Sequence, residues 1–178
     1  MRLRSALALA LALGSPLGCG SLLSARPEPI RAPAPEGAVP WTGLTPLRGP
    51  DEFRFVVVSD RTGGHRDGVF ETAIDRINLL HPEFVMSIGD LIEGYTDDPK
   101  LLDEQWAELQ ASVARLEMPF FYTPGNHDLS SAVMAEAWRE RFGPSFYHFV
   151  YRDALFLVLN SELFGMVHDP KSPLPGPW

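Results

Sequence analysis

The feature that most constrains the fold is an alternation of short apolar runs with amphipathic stretches. Residues 53–58, 84–88 and 120–122 are rich in β-branched and aromatic side chains and have the lengths of strands. Apolar residues recur at helical spacing after each run, which predicts helices that include Val69–Leu80 and Ala132–Phe142. This alternation predicts a parallel sheet with helical crossovers. The first run is typical of a strand that is buried on both faces.

The remaining sequence divides into parts of different character. Residues 146–151 and 154–159 are apolar and flank Arg152 and Asp153, which predicts a hairpin with a tight turn. Residues 20–50 are rich in Pro and Ala and lack apolar periodicity, so we expect an extended linker. The predicted organisation is therefore a signal peptide over residues 1–19, this linker, a domain over 51–164 and an irregular tail over 165–178.

Each of the three predicted parallel strands is followed by polar residues that can bind a metal. Asp60 follows the first strand and Asp90 the second, while Asn126 and His127 follow the third. Ligands bind parallel sheets at the carboxyl ends of their strands, where neighbouring strands converge. Two carboxylates so close would repel each other unless a cation lay between them. Carboxylate, amide and imidazole groups together suit Mn, Fe, Zn or Mg.

Other interpretations of the same residues stay open. Asp60 and Asp90 could instead be N-caps of the helices that follow their strands. Gly89 and Gly125 are expected to let the backbone turn sharply and approach closely before each ligand. Glu93 is either a surface carboxylate or a further site residue. Four more residues are expected to be structural, at a helix end, in the hairpin or in helical apolar stripes: His81, His148, Trp106 and Trp138.

These motifs, in this order, resemble a known family. Ser59-Asp60, Gly89-Asp90-Leu91-Ile92-Glu93 and Gly125-Asn126-His127-Asp128 resemble the first three blocks of the calcineurin-like metallophosphoesterases, over roughly residues 53–161. The resemblance implies an α/β fold, namely a metallophosphoesterase-type β-sandwich flanked by helices. It also implies hydrolysis of phosphate esters at a centre of two divalent metal ions. Monoesters, diesters, nucleotides and phosphoproteins all remain open as substrates.

The resemblance also implies a role for each motif residue. Asp60 would bind the first metal and Asp90 would bridge both metals. Asn126 would bind the second metal and also touch a phosphate oxygen of the substrate. His127 would protonate the leaving-group oxygen or stabilise the phosphoryl group. Asp128 would orient His127, as carboxylates commonly do for site histidines.

The sequence departs from the family pattern in its first block. The family has Asp-x-His, whereas this chain has Asp60-Arg61-Thr62. His65, three residues further on, is either a replacement metal ligand or a loop residue near the substrate or in solvent. Arg61 either holds a substrate phosphate, for which guanidinium is well suited, or pairs with an acidic neighbour.

A second departure concerns the later ligands. The family completes its site with a histidine after a later strand and with a Gly-His-x-His block, and neither follows here; His168 lacks a preceding strand. We therefore expect the chain to be a domain truncated after its first half, with weak metal binding and little activity by itself. The alternative function is a non-catalytic anchored domain that keeps a partial metal site.

The N-terminal residues predict export. Arg2 and Arg4 precede an uninterrupted run of small and apolar residues over 5–13, the pattern of a signal peptide. Cys19, the single cysteine, lies at the expected cleavage boundary, as in bacterial lipoproteins, so we expect lipidation there and attachment to a bacterial membrane. A plain secretory signal is the alternative, with a periplasmic or extracellular location. The formal net charge of -8 argues against a nucleic-acid-binding surface.

Overall fold

A computed structural model describes residues 30–33, 36–43 and 53–162. The predicted signal peptide with Cys19, much of the predicted linker and the predicted tail with His168 lie outside these residues. In the part of the chain that the model describes, no helix is long and apolar enough to cross a membrane.

The described domain contains five strands and three helices. In chain order they are β1 (Phe55–Val58), α1 (Val69–Leu80), β2 (Phe84–Ser87), α2 (Pro99–Val113), β3 (Phe120–Phe121), α3 (Ala132–Phe142), β4 (Tyr147–Tyr151) and β5 (Ala154–Val158). The first three strands form a parallel sheet in the order β1-β2-β3, and β4 pairs with β5 in an antiparallel hairpin. The predictions of the parallel sheet, the helices at Val69–Leu80 and Ala132–Phe142, and the hairpin are confirmed.

The three helices and the parallel sheet share one hydrophobic core. Trp106 and Trp138, from α2 and α3, are almost fully buried, with their ring centroids 5.7 Å apart. Ile74 of α1 and Val85 of β2 belong to the same cluster. The helical stripes predicted from the sequence are therefore the faces that cover the sheet.

The hairpin packs on the sheet face opposite the helices. Phe121 of β3 stacks on Phe149 of β4, with centroids 3.9 Å apart and planes 9° from parallel. Phe84 of β2 contacts Phe149 and Phe156 edge to face. Sheet packs on sheet here through aromatic side chains. The expected α/β arrangement, with a β-sandwich flanked by helices, is confirmed.

Part of the predicted linker is packed against this domain. Arg31 pairs with Val150 of β4 through two backbone hydrogen bonds of 2.9 and 2.7 Å. Trp41 pairs with Phe121, and the Thr42 amide donates to Phe120 at 2.9 Å. Arg31 and Trp41 are therefore extended, but they pair with strands of the domain, although the predicted linker is expected to lie outside it. The free backbone groups at the strand edges and the aromatic cluster bind this segment, although its sequence has no apolar periodicity.

The first strand is less buried than expected. Phe55 and Val57 are exposed at 42% and 48%, whereas Val56 and Val58 pack against the helical core. Because β1 is an edge strand of the described sheet and the hairpin covers it only in part, one of its faces stays half open. The prediction of burial on both faces is wrong for this strand. The outer face of β5 is also open, with Leu155 and Leu157 exposed.

Candidate functional site

The strand ends converge as the motif spacing predicts. Parallel pairing places Val58 beside Ser87, so the loops after β1 and β2 start at the same edge of the sheet. The Asp60 amide donates to the Gly89 carbonyl at 3.3 Å, and the Thr62 amide donates to the Asp90 carbonyl at the same distance. The two aspartates are therefore held on adjacent, hydrogen-bonded loops.

Two glycines make this convergence possible. A Cβ on Gly89 would lie 2.8 Å from the Cα of Gly125, and a Cβ on Gly125 would overlap the Asp90 carboxylate. Gly89 also has a φ of +112°, a conformation that side chains rarely adopt. The predicted close approach of the backbone at both glycines is confirmed.

The two aspartates themselves have unusual backbone conformations. Asp60 has a φ of 52° and Asp90 a φ of 56°, in the left-handed region that costs a residue with a side chain roughly 1–2 kcal/mol. The three helices begin elsewhere, at the N-caps Gly68, Asp98 and Ser131. The alternative that Asp60 and Asp90 are N-caps is therefore wrong. Strained backbone at two carboxylates of one cleft is typical of functional sites.

The third motif contacts the second through several groups. The His127 amide donates to Oδ1 of Asp90 at 3.1 Å. The His127 imidazole Nδ1 lies 2.8 Å from the Glu93 carbonyl oxygen, which accepts the Nδ1 proton. Nε2, the other ring nitrogen, lies on the side of Gly63, where a Cβ would be 3.7 Å away. Glu93 thus takes part in the site through its carbonyl group, which orients the His127 ring with Nε2 beside Gly63.

Tyr95 is a site residue that the sequence reasoning missed. Its hydroxyl oxygen accepts a hydrogen bond from Nδ2 of Asn126 at 2.6 Å. Its ring meets the His127 ring edge to face, with centroids 4.7 Å apart. The available signal was an aromatic residue directly after Gly94 in the loop that follows the Gly-Asp motif.

Asp128 has partners other than the expected one. Its carboxylate is fully buried and accepts three backbone hydrogen bonds, from Leu91 at 3.0 Å, Ile92 at 3.1 Å and Gly125 at 2.8 Å. Burial raises the pKa of this carboxyl to about 6, against the lowering effect of the three amides. The expectation that Asp128 orients the His127 ring is corrected, because its two oxygens bind backbone amides while the Glu93 carbonyl takes the ring nitrogen. Asp128 joins the loops after β2 and β3.

Arg61 is buried rather than open to a ligand. Its side chain is 4% exposed, donates to the Leu91 carbonyl at 3.3 Å and forms an ion pair with Glu108 of α2. The guanidinium also lies 5.8 Å from the centre of the Phe70 ring. Of the two interpretations of Arg61, the structure supports the pairing with an acidic neighbour. The expectation of a phosphate-holding arginine is corrected.

His65 lies on the loop between β1 and α1. Its Nδ1 is 4.0 Å from the exposed carboxylate of Asp67, and its Nε2 is buried without a hydrogen-bond partner in the described structure. Across residues 30–33, 36–43 and 53–162, no three His, Cys, Asp or Glu side chains are grouped closely enough to hold a metal ion. His65 therefore does not complete such a group with Asp60 and Asp90, and its role as a ligand stays a prediction.

The chemical groups at the strand ends are nevertheless of the types that bind divalent cations. Asp60 and Asp90 supply carboxylates and Asn126 supplies an amide oxygen, all hard donors that suit Mg or Mn and are common for Zn and Fe. The close approach at Gly125 leaves Asp90 within a backbone cradle that any Cβ would fill. These donors make up part of a coordination shell.

The comparison with protein families agrees with this geometry. The sequence model of the calcineurin-like phosphoesterases matches residues 53–172. The chain belongs to the calcineurin-like phosphoesterase family. Members of this family generally use divalent metals, in agreement with the kind of donors found at the strand ends. No solved structure gives a significant match to the chain.

Curated relatives carry a phosphatase name. The serine/threonine-protein phosphatase CPPED1 of Rattus norvegicus is 35% identical over 99 residues, which are 52% of this chain and 31% of that protein. The protein of the same name from Homo sapiens is 32% identical over 101 residues, which are 53% of this chain and 32% of that protein. The chain thus matches about a third of the length of these relatives.

Proposed function

We propose that this phosphoesterase-family chain contributes to metal-dependent hydrolysis of phosphate monoesters through a dinuclear centre at the ends of β1, β2 and β3. The main support for this proposal is the convergence of Asp60, Asp90 and Asn126 at one edge of the sheet. Backbone hydrogen bonds and the close approach of Gly89 and Gly125 hold their loops together there. Two carboxylates on adjacent loops repel each other, and a divalent cation would offset that repulsion.

Asp60, Asp90 and Asn126 would hold the metal ions. When bound, two divalent ions neutralise the charge of a phosphoryl group and activate water. The imidazole of His127 has its Nε2 beside Gly63, which places no side chain against this nitrogen. The bond from phosphorus to the leaving oxygen breaks as water supplies the new oxygen. With Nδ1 keeping its proton against the Glu93 carbonyl, the imidazolium form of His127 donates its Nε2 proton to the leaving oxygen, which departs as an alcohol.

Phosphorylated serine or threonine side chains are the substrate class that we propose first. Asp60 and Asn126 are exposed at the rim of the sheet, so a phosphate on a protein surface can reach them. The relatives named as serine/threonine-protein phosphatases agree with this class.

The test measures hydrolysis of p-nitrophenyl phosphate and of a phosphoserine peptide by the full chain, with and without Mn²⁺, together with calorimetric Mn²⁺ binding. We expect a low turnover that requires Mn²⁺ and is lost in Asp90→Asn. Asp153→Asn is the matched control, because Asp153 is exposed in the turn between β4 and β5. Turnover that is equal in Asp90→Asn or independent of metal contradicts the proposal. Mn²⁺ binding without turnover favours the alternative, a non-catalytic domain with a partial metal site.

A further inference from the structure

Tyr95 combines three properties that rarely occur together. It is a large aromatic residue with 61% of its surface exposed, and its φ of 49° lies in the left-handed region. Neither burial nor backbone preference favours a tyrosine at such a position, because exposed left-handed positions suit Gly, Asn or Asp. The contacts of its side chain therefore account best for a tyrosine at this position.

Both contacts of Tyr95 are with the motif that follows β3. The hydroxyl oxygen accepts from Nδ2 of Asn126 at 2.6 Å, and the ring lies edge to face with the His127 ring at 4.7 Å. The neighbouring Glu93 carbonyl binds Nδ1 of the same histidine. The loop segment 93–95 therefore contacts the side chains of Asn126 and His127.

The Asn126 amide takes the one of its two orientations in which its NH₂ group donates to the Tyr95 hydroxyl. An asparagine amide can rotate by half a turn and exchange its oxygen and its NH₂ group in space. Only the oxygen can bind a cation, whereas the NH₂ group would place partial positive charge against it. With Nδ2 bound to the Tyr95 hydroxyl, Oδ1 faces away from the tyrosine and remains free for a ligand.

We propose that Tyr95 is a positioning residue that fixes the amide of Asn126 with its oxygen free for a divalent cation. Its ring at the same time limits the movement of the His127 imidazole. This inference rests on the proposed function in one respect, namely that Asn126 binds the cation through its oxygen. The hydrogen bond between Asn126 and Tyr95 is present without any metal.

The first experiment needs no metal. The chain has three asparagines, so their side-chain amides are readily distinguished in a ¹H–¹⁵N spectrum of the full chain. We expect Tyr95→Phe to shift the Asn126 amide pair toward the position of a free amide and to speed its exchange with water. Asn78 and Asn160 are internal references, since their amides donate to Arg115 and Ser145. An Asn126 pair that is unchanged in Tyr95→Phe overturns the proposal.

The second experiment measures Mn²⁺ affinity by calorimetry in a double-mutant cycle. Tyr95→Phe should weaken binding about five-fold, the factor that corresponds to one ordinary hydrogen bond. The same substitution should have no further effect in an Asn126→Ala background, because the group that it positions is then absent. Equal weakening in both backgrounds overturns the proposal, since Tyr95 would then act by another route.

Thr96→Val is the matched control, because it removes a hydroxyl from the same loop, where Thr96 accepts from the Asp98 amide. It should leave both the Asn126 amide pair and the Mn²⁺ affinity unchanged. A wild-type chain that binds no Mn²⁺ contradicts the proposed function, and the spectrum of the Asn126 amide then decides the role of Tyr95 by itself.

Discussion

Gly94 lies against the backbone of His127 so closely that a Cβ on Gly94 would stand 2.8 Å from the His127 carbonyl carbon and overlap its carbonyl oxygen. The loop after β2 thus rests directly on the loop after β3. Gly94→Ala should lower the free energy of unfolding by about 3 kcal/mol, because it adds overlap to a left-handed φ of +60°. Urea denaturation followed by circular dichroism measures the change.

Gly68→Ala serves as the control for that substitution. Gly68 has a φ of +76° with open space around the position of its Cβ, so only the backbone cost of about 1 kcal/mol is expected. Equal destabilisation by the two substitutions would show that the backbone of His127 moves aside without a loss of unfolding free energy.

Asp128→Asn should destabilise the domain although it conserves shape. One of the two carboxylate oxygens becomes an NH₂ group that faces a backbone N–H, so at least one of the amides of Leu91, Ile92 and Gly125 loses its acceptor. A cost of about 2 kcal/mol is expected for such a buried unpaired donor. Denaturant melts measure it, with Asp67→Asn as an exposed control. A stability equal to that of the wild type would contradict the role of Asp128 in joining the loops.

Arg61→Ala should affect folding and leave phosphate binding unchanged. The guanidinium is buried between Leu91 and Glu108, and Glu108 is half exposed, which reduces the strength of the pair. We expect a loss of about 2 kcal/mol in unfolding free energy and no change in inhibition by inorganic phosphate. Arg139→Ala is the control, since Arg139 forms an exposed pair with Glu136. Weaker phosphate inhibition in a stably folded Arg61→Ala protein would restore Arg61 as a substrate-binding residue.

Leu157→Thr should have little effect on folding. Leu157 is 63% exposed on the outer face of β5, so the expected change in unfolding free energy is below about 0.5 kcal/mol. Phe149→Ala, on the inner face of the neighbouring strand, should cost about 3 kcal/mol or more. The substitution at Leu157 should also reduce association at high concentration, which light scattering detects. A large loss of stability in Leu157→Thr would show that this face is covered.

Cys19 is predicted to carry a lipid in a bacterial host. Mass spectrometry of the mature N-terminus should find a diacylglycerol-modified cysteine as the first residue. Cys19→Ala should move the protein from the membrane fraction to the soluble fraction, because acyl chains supply the membrane affinity. An unmodified chain that starts at another residue would support the plain secretory signal.

Much of the fold follows from patterns along the chain. The apolar spacing from Val69 to Leu80 predicts α1 with its bounds, and the motif spacing predicts that Asp60 and Asp90 meet at one edge. Contacts made by backbone groups could not be predicted, because no side chain encodes them directly. The acceptor role of Asp128 depends on three amides that any sequence would contain. The exposure of Phe55 depends on which strand lies at the edge, a property of the sheet and not of the strand.

The same backbone contacts affect how the site can change in evolution. Asp128 ties the loops after β2 and β3 through the amides at positions 91, 92 and 125, which any residue other than proline supplies. The geometry of the cleft is therefore inherited separately from the identity of its ligands. One ligand can therefore be exchanged during evolution while the positions of the loops are kept. The first motif is an example, since Arg61 and Thr62 stand there in place of the family pattern.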